Sequence, residues 1–255
     1  NGGAGYINFI NYANGEMEVG GTPGVAGTGT RVSINDPANP TALDENNVPG
    51  SGRYGRAGTP DIRFQVDQDN PTILAETGFP MCIPRVTSDP NVAGNPDDPN
   101  CPRNNRPIIS NPVVDTSGIT PQPNTLIAGQ FYTVFRMDSP ANVDAGLGCL
   151  RTPCADPRKQ APFEVGDFVN FAGTLVQDPA PATTTHIAAH TIVASLGIYT
   201  QLGIDPAYVT VEVALIGTGG LTVFGAGEAA VRTRFEGMST DESRLIRVYG
   251  IDINP

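Results

Sequence analysis

Hydrophobic residues in this chain recur with a period of two almost everywhere, the spacing that turns alternate side chains to one face of a strand. "INFINYANGEMEVGG" reads as two such runs joined at Asn14-Gly15, a pair suited to a type I′ hairpin turn because both of its central residues need positive φ. In the second run Met17 and Val19 face one way, Glu16 and Glu18 the other. "TRVSIND" turns Val32 and Ile34 inward, and "DIRFQVD" does the same with Ile62, Phe64 and Val66. In "FEVGDFVNFAGTLVQD", Val169, Phe171 and Leu175 alternate with Phe168, Asn170 and Thr174, and Gly173 stands where a curved strand needs a bulge or a kink. "THIAAHTIVASLGIYT" continues the pattern, and "AYVTVEVALIG" places Val209, Val211, Val213 and Leu215 on one face. "AAVRTRFEG" and "SRLIRVYGIDI" are the last strand-like runs. No segment sustains a helical period beyond about two turns.

Residues 36–60 and about 86–125 are too polar to pack and read as long loops. The pattern therefore predicts an all-β chain of OB-like barrel or sandwich modules with long loops. We expect an N-terminal β-module over residues 1–135, a linker with a small cysteine loop over 136–162, and a C-terminal OB-like module over 163–255. Gly 30 and Pro 24 fit many short strands and turns. The four cysteines fall as two local pairs, Cys82 with Cys101 and Cys149 with Cys154, each in a stretch with little apolar sequence to hold it. A covalent staple is useful there, and the spacing lacks the C-x-x-C knuckle of a zinc site, so two disulfides and an oxidising compartment are expected.

The formal charge of -11, with no run of basic residues, argues against nucleic acid and anionic membranes as partners. No stretch is long and apolar enough for membrane insertion as a helix. A chain beginning at Asn1 leads us to expect removal of a signal peptide and secretion to the extracellular space.

"FEVGDFVNFAGTLVQD" followed by "HIAAHTIV" resembles the early strands of an OB-like barrel. With "GTRVSINDP" and "DNPTILAETGFPMCIP", it also resembles a group of uncharacterised secreted β-rich proteins of fungi and bacteria. That resemblance implies a fold and carries no activity. OB-like barrels bind oligonucleotides or oligosaccharides on one face; the charge opposes the first, and the absence of Trp leaves tyrosines as the only sugar platforms of the usual aromatic kind.

Candidate chemistry is sparse. "FGAGEAA" carries the letters of a dinucleotide fingerprint, but the residues after it alternate as a strand does, which points to a glycine-rich hairpin. His186 and His190, the only histidines, lie too far apart along a strand to share an ion and read as solvated. Asp67, Asp69 and Asn70 in "VDQDNP" offer oxygen ligands of the kind calcium takes, without the glycine and distal glutamate of an EF-hand loop; Asx-turns explain the same letters. No other cofactor is indicated. No nucleophile elbow or free cysteine is expected, and a glycosidase-like carboxylate pair is legible in no motif.

The N-terminal strand is the most distinctive feature. Tyr6, Ile10 and Tyr12 lie on one face and Ile7 and Phe9 on the other, so the segment asks for burial on both sides. We expect a non-enzymatic structural protein that assembles as a homo-oligomer or polymer, these five residues adding as a strand to a neighbouring subunit. The alternatives are a monomeric glycan-binding module and a glycan-active enzyme.

Overall fold

The principal sheet takes strands from both ends of residues 1–199. In the computed structural model, which describes residues 1–12, 14–35, 72–84, 98, 101–106, 134–149, 153–178, 183–220 and 229–249, β1 (Gly2–Asn11), β2 (Glu16–Val19) and β3 (Thr30–Ile34) follow as antiparallel neighbours. A long connection carries β4 (Ile73–Ala75), β5 (Met81–Cys82), β6 (Val134–Arg136), helix α1 (Pro140–Ala145) and β7 (Ala161–Pro162). It leads to β8 (Phe168–Gln177), β9 (Thr185–Ala194) and β10 (Gly197–Tyr199), and the chain continues into β11 (Val209–Gly220) and β12 (Ala229–Ser239).

β8 returns beside β1, giving the order β8-β1-β2-β3 of a Greek key. β9 is antiparallel to β8 and parallel to β3, so the sheet closes on itself through Val32↔Ile187, Ser33↔Ala188 and Ile34↔Ala189. β4 continues along β9 where β3 leaves it, at Ile73↔Ile192. β1 serves two neighbours: Gly2–Tyr6 pairs with β8 and Ile7–Asn11 with β2. The glycines permit this, because a Cβ on Gly3 would lie 2.8 Å from the tip of the Phe171 ring. The hairpin at Asn14-Gly15 forms, but the last pair is Asn11↔Glu16, so its loop has four residues rather than two; Gly15 takes φ 63°.

Ile7, Ile10, Met17, Val19, Val32, Ile34, Val169 and Ile192 are buried on this sheet. Each such side chain contributes roughly 1.5–3 kcal/mol. Gly173 sits at a bulge, where the β8–β9 register shifts, and a Cβ there would meet the Ala188 carbonyl at 2.4 Å. The burial departs from the sequence pattern: Val169 and Phe171 point in, but beyond Gly173 Val176 is buried and Leu175 is exposed.

A second set of buried apolar side chains comprises Phe79, Met81, Phe135, Met137, Phe163 and Ile198, with the Phe79 and Phe135 rings edge-on at 5.5 Å. It is framed by two parallel pairs, β5 with β7 and β6 with β10. α1 has a legible start and stop, with Ser139 accepting a bond from the Asn142 N–H, Pro140 in the first turn and Gly146 at φ 63°.

Both expected disulfides form, Cys82–Cys101 and Cys149–Cys154. The first holds the segment around a 3-10 turn at Arg103–Asn105. There the Asn105 amide donates to the carbonyls of Asp156, Lys159 and Gln160, and its Oδ1 accepts from the Asp156 N–H.

The boundary expected within 136–162 is not where the chain divides. Strands from residues 2–34 and 168–194 share one closed sheet, and Met137, Ala155 and Ala161 of the expected linker are buried. The two compact units are residues 1–199 and 200–255. The second contains the antiparallel hairpin β11–β12.

Arg106 is fully buried, with Nη1 donating to Asp167 Oδ2 at 2.5 Å and Nη2 to Asp167 Oδ1 at 2.9 Å, and with Glu164 Oε2 at 3.3 Å from Nη2. Burial opposes its charge, but Asp167 and Glu164 overcome that and raise its pKa above the ordinary value. Arg106→Met leaves two buried carboxylates without their cation, and we expect a loss of about 3–5 kcal/mol in urea unfolding. Replacing Cys82 and Cys101 by alanine should cost about 3 kcal/mol, and the same change at Cys149 and Cys154 about 2 kcal/mol because its loop is shorter.

Candidate functional site

The residues expected to form an assembly strand are held by their own chain. Ile7 and Ile10 are buried, and Phe9 and Tyr12 are half-buried. Tyr6 is the most exposed of the five and meets Phe168 edge-on at 5.1 Å. The Ile7 N–H donates to the Asp167 carbonyl at 2.8 Å, and its own carbonyl accepts from Gly166 at 2.7 Å. Most of the two-faced apolar pattern is thus met within the chain, with Tyr6 left 42% exposed. The reason is topological: β8, 160 or so residues along the chain, supplies the edge that local sequence cannot show.

The polar face of β2 is also taken up internally. Glu18 is buried, and its carboxylate accepts from the N–H groups of Gly27, Thr28 and Gly29 at 2.8–3.1 Å. This folds the β2–β3 loop over the strands, where Asn8 Nδ2 also donates to the carbonyls of Thr22 and Val25. Glu16 is held bidentately by Arg31, at 2.7 and 2.9 Å. Arg31 Nη1 donates to Asp178 at 2.5 Å, and Asp178 also accepts from Thr184 Oγ1 and His186 Nδ1. The bond from Glu16, working against partial burial and aided by Asp178, raises the Arg31 pKa further. His186 is therefore a buried ligand of Asp178 rather than a solvated side chain, and His190, half-exposed, meets Thr191 Oγ1 at 3.0 Å.

Acidic side chains do converge, Glu16 with Asp178 and Glu164 with Asp167, but an arginine bridges each pair and both pairs are buried. They act as counterions. Among the described residues, Asp138, Cys149 and Cys154 bring three ligand-type atoms together, yet the two sulfurs are bonded to each other and Asp138 accepts from the Ala155 N–H. A disulfide offers no thiolate to a metal. The calcium candidates Asp67, Asp69 and Asn70 lie outside the described residues.

The opposite arrangement holds in residues 200–255. β11 and β12 pair over their whole length, and no third strand joins them among the described residues. A bulge between Val211 and Val213, opposite Gly237, splits the valine face that a strict alternation predicts. The register then places Val209, Val211, Ala214 and Phe235 on one face, and Val213, Arg234, Glu236 and Met238 on the other, where Arg234 and Glu236 form an ion pair. Val209, Val211, Phe235 and Met238 are 45–55% exposed. Beyond the hairpin, Leu245, Ile246, Val248 and Tyr249 are 52–77% exposed and form no strand, although their alternation is that of one. The signal for this surface was present in "AAVRTRFEG", whose arginines and glutamate occupy one face only.

A polar knot fixes the root of the hairpin. Asp241, with no exposed surface, accepts from the Ser243 N–H at 3.0 Å, Ser243 Oγ at 2.6 Å and Arg244 Nε at 2.9 Å. Arg244 also donates to the Asp205 carbonyl, and Thr240 Oγ1 accepts from the Tyr208 N–H. The Ser243 bond, followed by that of Arg244, outweighs burial and lowers the Asp241 pKa from 3.8 to about 2. An acid whose pKa falls on folding stabilises the fold fully above its ordinary value, and loses that contribution as pH drops to the lowered one. The Ser243 amide resonance, and that of Gly203, whose N–H also donates to Asp241 Oδ2 at 3.5 Å, should therefore titrate near pH 2 in NMR spectra, and the transition should vanish in Asp241→Asn.

Comparison with protein-family models, with curated proteins and with solved structures found no match. The function is therefore read from the geometry of this chain itself.

Proposed function

We propose that this is an extracellular structural protein that self-assembles into a filament or surface layer through residues 200–255. One observation carries the reading: the hairpin β11–β12 exposes an apolar face and gains no third strand from its own chain among the described residues. A two-stranded hairpin is at best marginally stable in water, and three strands or a covering surface are needed to hold it. Open edges of this kind are where chains pair with one another. The two disulfides fit an oxidising compartment, which agrees with a place outside the cell.

The closed sheet we read as an OB-type barrel, on the strength of its five-stranded Greek-key ring. That reading places its usual ligand face on β2 and β3. In this chain Glu18 draws the β2–β3 loop over that face, so a glycan there would have to displace four carboxylate bonds to backbone amides. The body then serves as a rigid carrier for the hairpin. Negative-stain microscopy of the full chain should show filaments or sheets, and light scattering a mass many times that of one chain. A single-chain particle at every concentration would refute the proposal.

A further inference from the structure

We propose that residues 244–249 of one copy add as a strand to the outer edge of β12 in a second copy. The inference rests on the self-assembly reading and names its contact.

The donor is "RLIRVY". Ile246 and Val248 fall on one side of an extended chain, and Leu245, Arg247 and Tyr249 on the other. Four of these six residues are large, apolar and exposed, so their own unit leaves them the same unmet demand for burial that the hairpin has. The knot at Asp241 holds Arg244 at the root, and the residues that follow leave it without pairing to β12 of their own copy.

The acceptor edge is chosen by regularity. β11 carries the bulge at Val211/Val213, which breaks its ladder and twists its edge. β12 has no extra residue, and Thr233–Met238 are all exposed, six positions for a six-residue donor. With Ile246 and Val248 turned to the side of Phe235, they extend the apolar face already formed by Val209, Val211 and Ala214. Arg247 then lies on the side of Glu236, the acid of the charged face. Charge favours the exchange between copies: residues 243–250 hold two arginines and no acid, in a chain of net charge -11. Main-chain hydrogen bonds supply affinity and the alternate side chains supply register. Because donor and acceptor are different surfaces, the contact is heterologous and propagates rather than closing as a dimer.

Two full-chain variants separate the halves of this contact. Ile246→Asp with Val248→Asp disables the donor, and Phe235→Asp disables the acceptor; all three positions are exposed, so far-UV circular dichroism should match the parent. In sedimentation velocity each variant alone should be monomeric where the parent polymerises, a rise of at least tenfold in dissociation constant. An equimolar mixture should form a complex of two chains and stop there, since one donor and one acceptor remain. If the parent polymerises and the donor variant does so equally well, strand addition by residues 244–249 is wrong while self-assembly stands. A mixture that stays monomeric would equally overturn it. A parent that is monomeric throughout would remove the self-assembly reading itself.

Discussion

The buried guanidinium of Arg106 is the point on which the larger unit turns. An unpaired cation in that position would be untenable, so the segment that carries Arg106 must come to Asp167 and Glu164 or the unit cannot close over it. Cys82–Cys101 tethers that segment, and the Asn105 amide clamps it to the carbonyls of residues 156–160. Asp167 in turn lies just before β8, and its backbone carbonyl receives the Ile7 N–H at the middle of β1. One charge thus links the long connection, the start of β8 and the bend of β1. The closed sheet inherits its geometry from that chain of contacts.

The same economy of charge runs through the rest of residues 1–199. Glu18 binds three successive loop amides, and Glu16, Arg31, Asp178 and His186 form a continuous buried network. In an acidic protein carboxylates ordinarily face water; here Glu18 organises a loop, and Glu16 and Asp178 pair with Arg31. Glu18 thereby ties the β2–β3 loop to β2. Most of the large apolar side chains that face solvent among the described residues lie in residues 200–255.

Much of the local structure was legible in the chain. The hairpin after Asn14-Gly15, the bulge at Gly173, the two disulfides and the strand after Gly227 each follow from a chemical requirement of a few neighbouring residues. Long-range pairing was not legible. The approach of the Phe171 ring to Gly3, for example, is a contact between residues 3 and 171 that no periodicity reveals. For the same reason the domain boundary was misplaced, and β1 was taken for a strand in want of a neighbour. A bulge in β11 accounts for the smaller error at Val213, since one extra residue moves every later side chain to the opposite face. His186 was misread because its partner, Asp178, comes beside it only through the pairing of β8 with β9.

The two units therefore differ in emphasis: the first buries two arginine–carboxylate clusters, and the second exposes much of its apolar surface. On the proposed reading, assembly supplies the burial that the second unit lacks. Hydrogen–deuterium exchange across a dilution series tests this most directly. The account predicts that amides within residues 209–249 gain protection as concentration rises, while those of β1 stay equally protected throughout. Protection that rises in residues 2–11 and not in 209–249 would contradict it and return the role to the N-terminal strand.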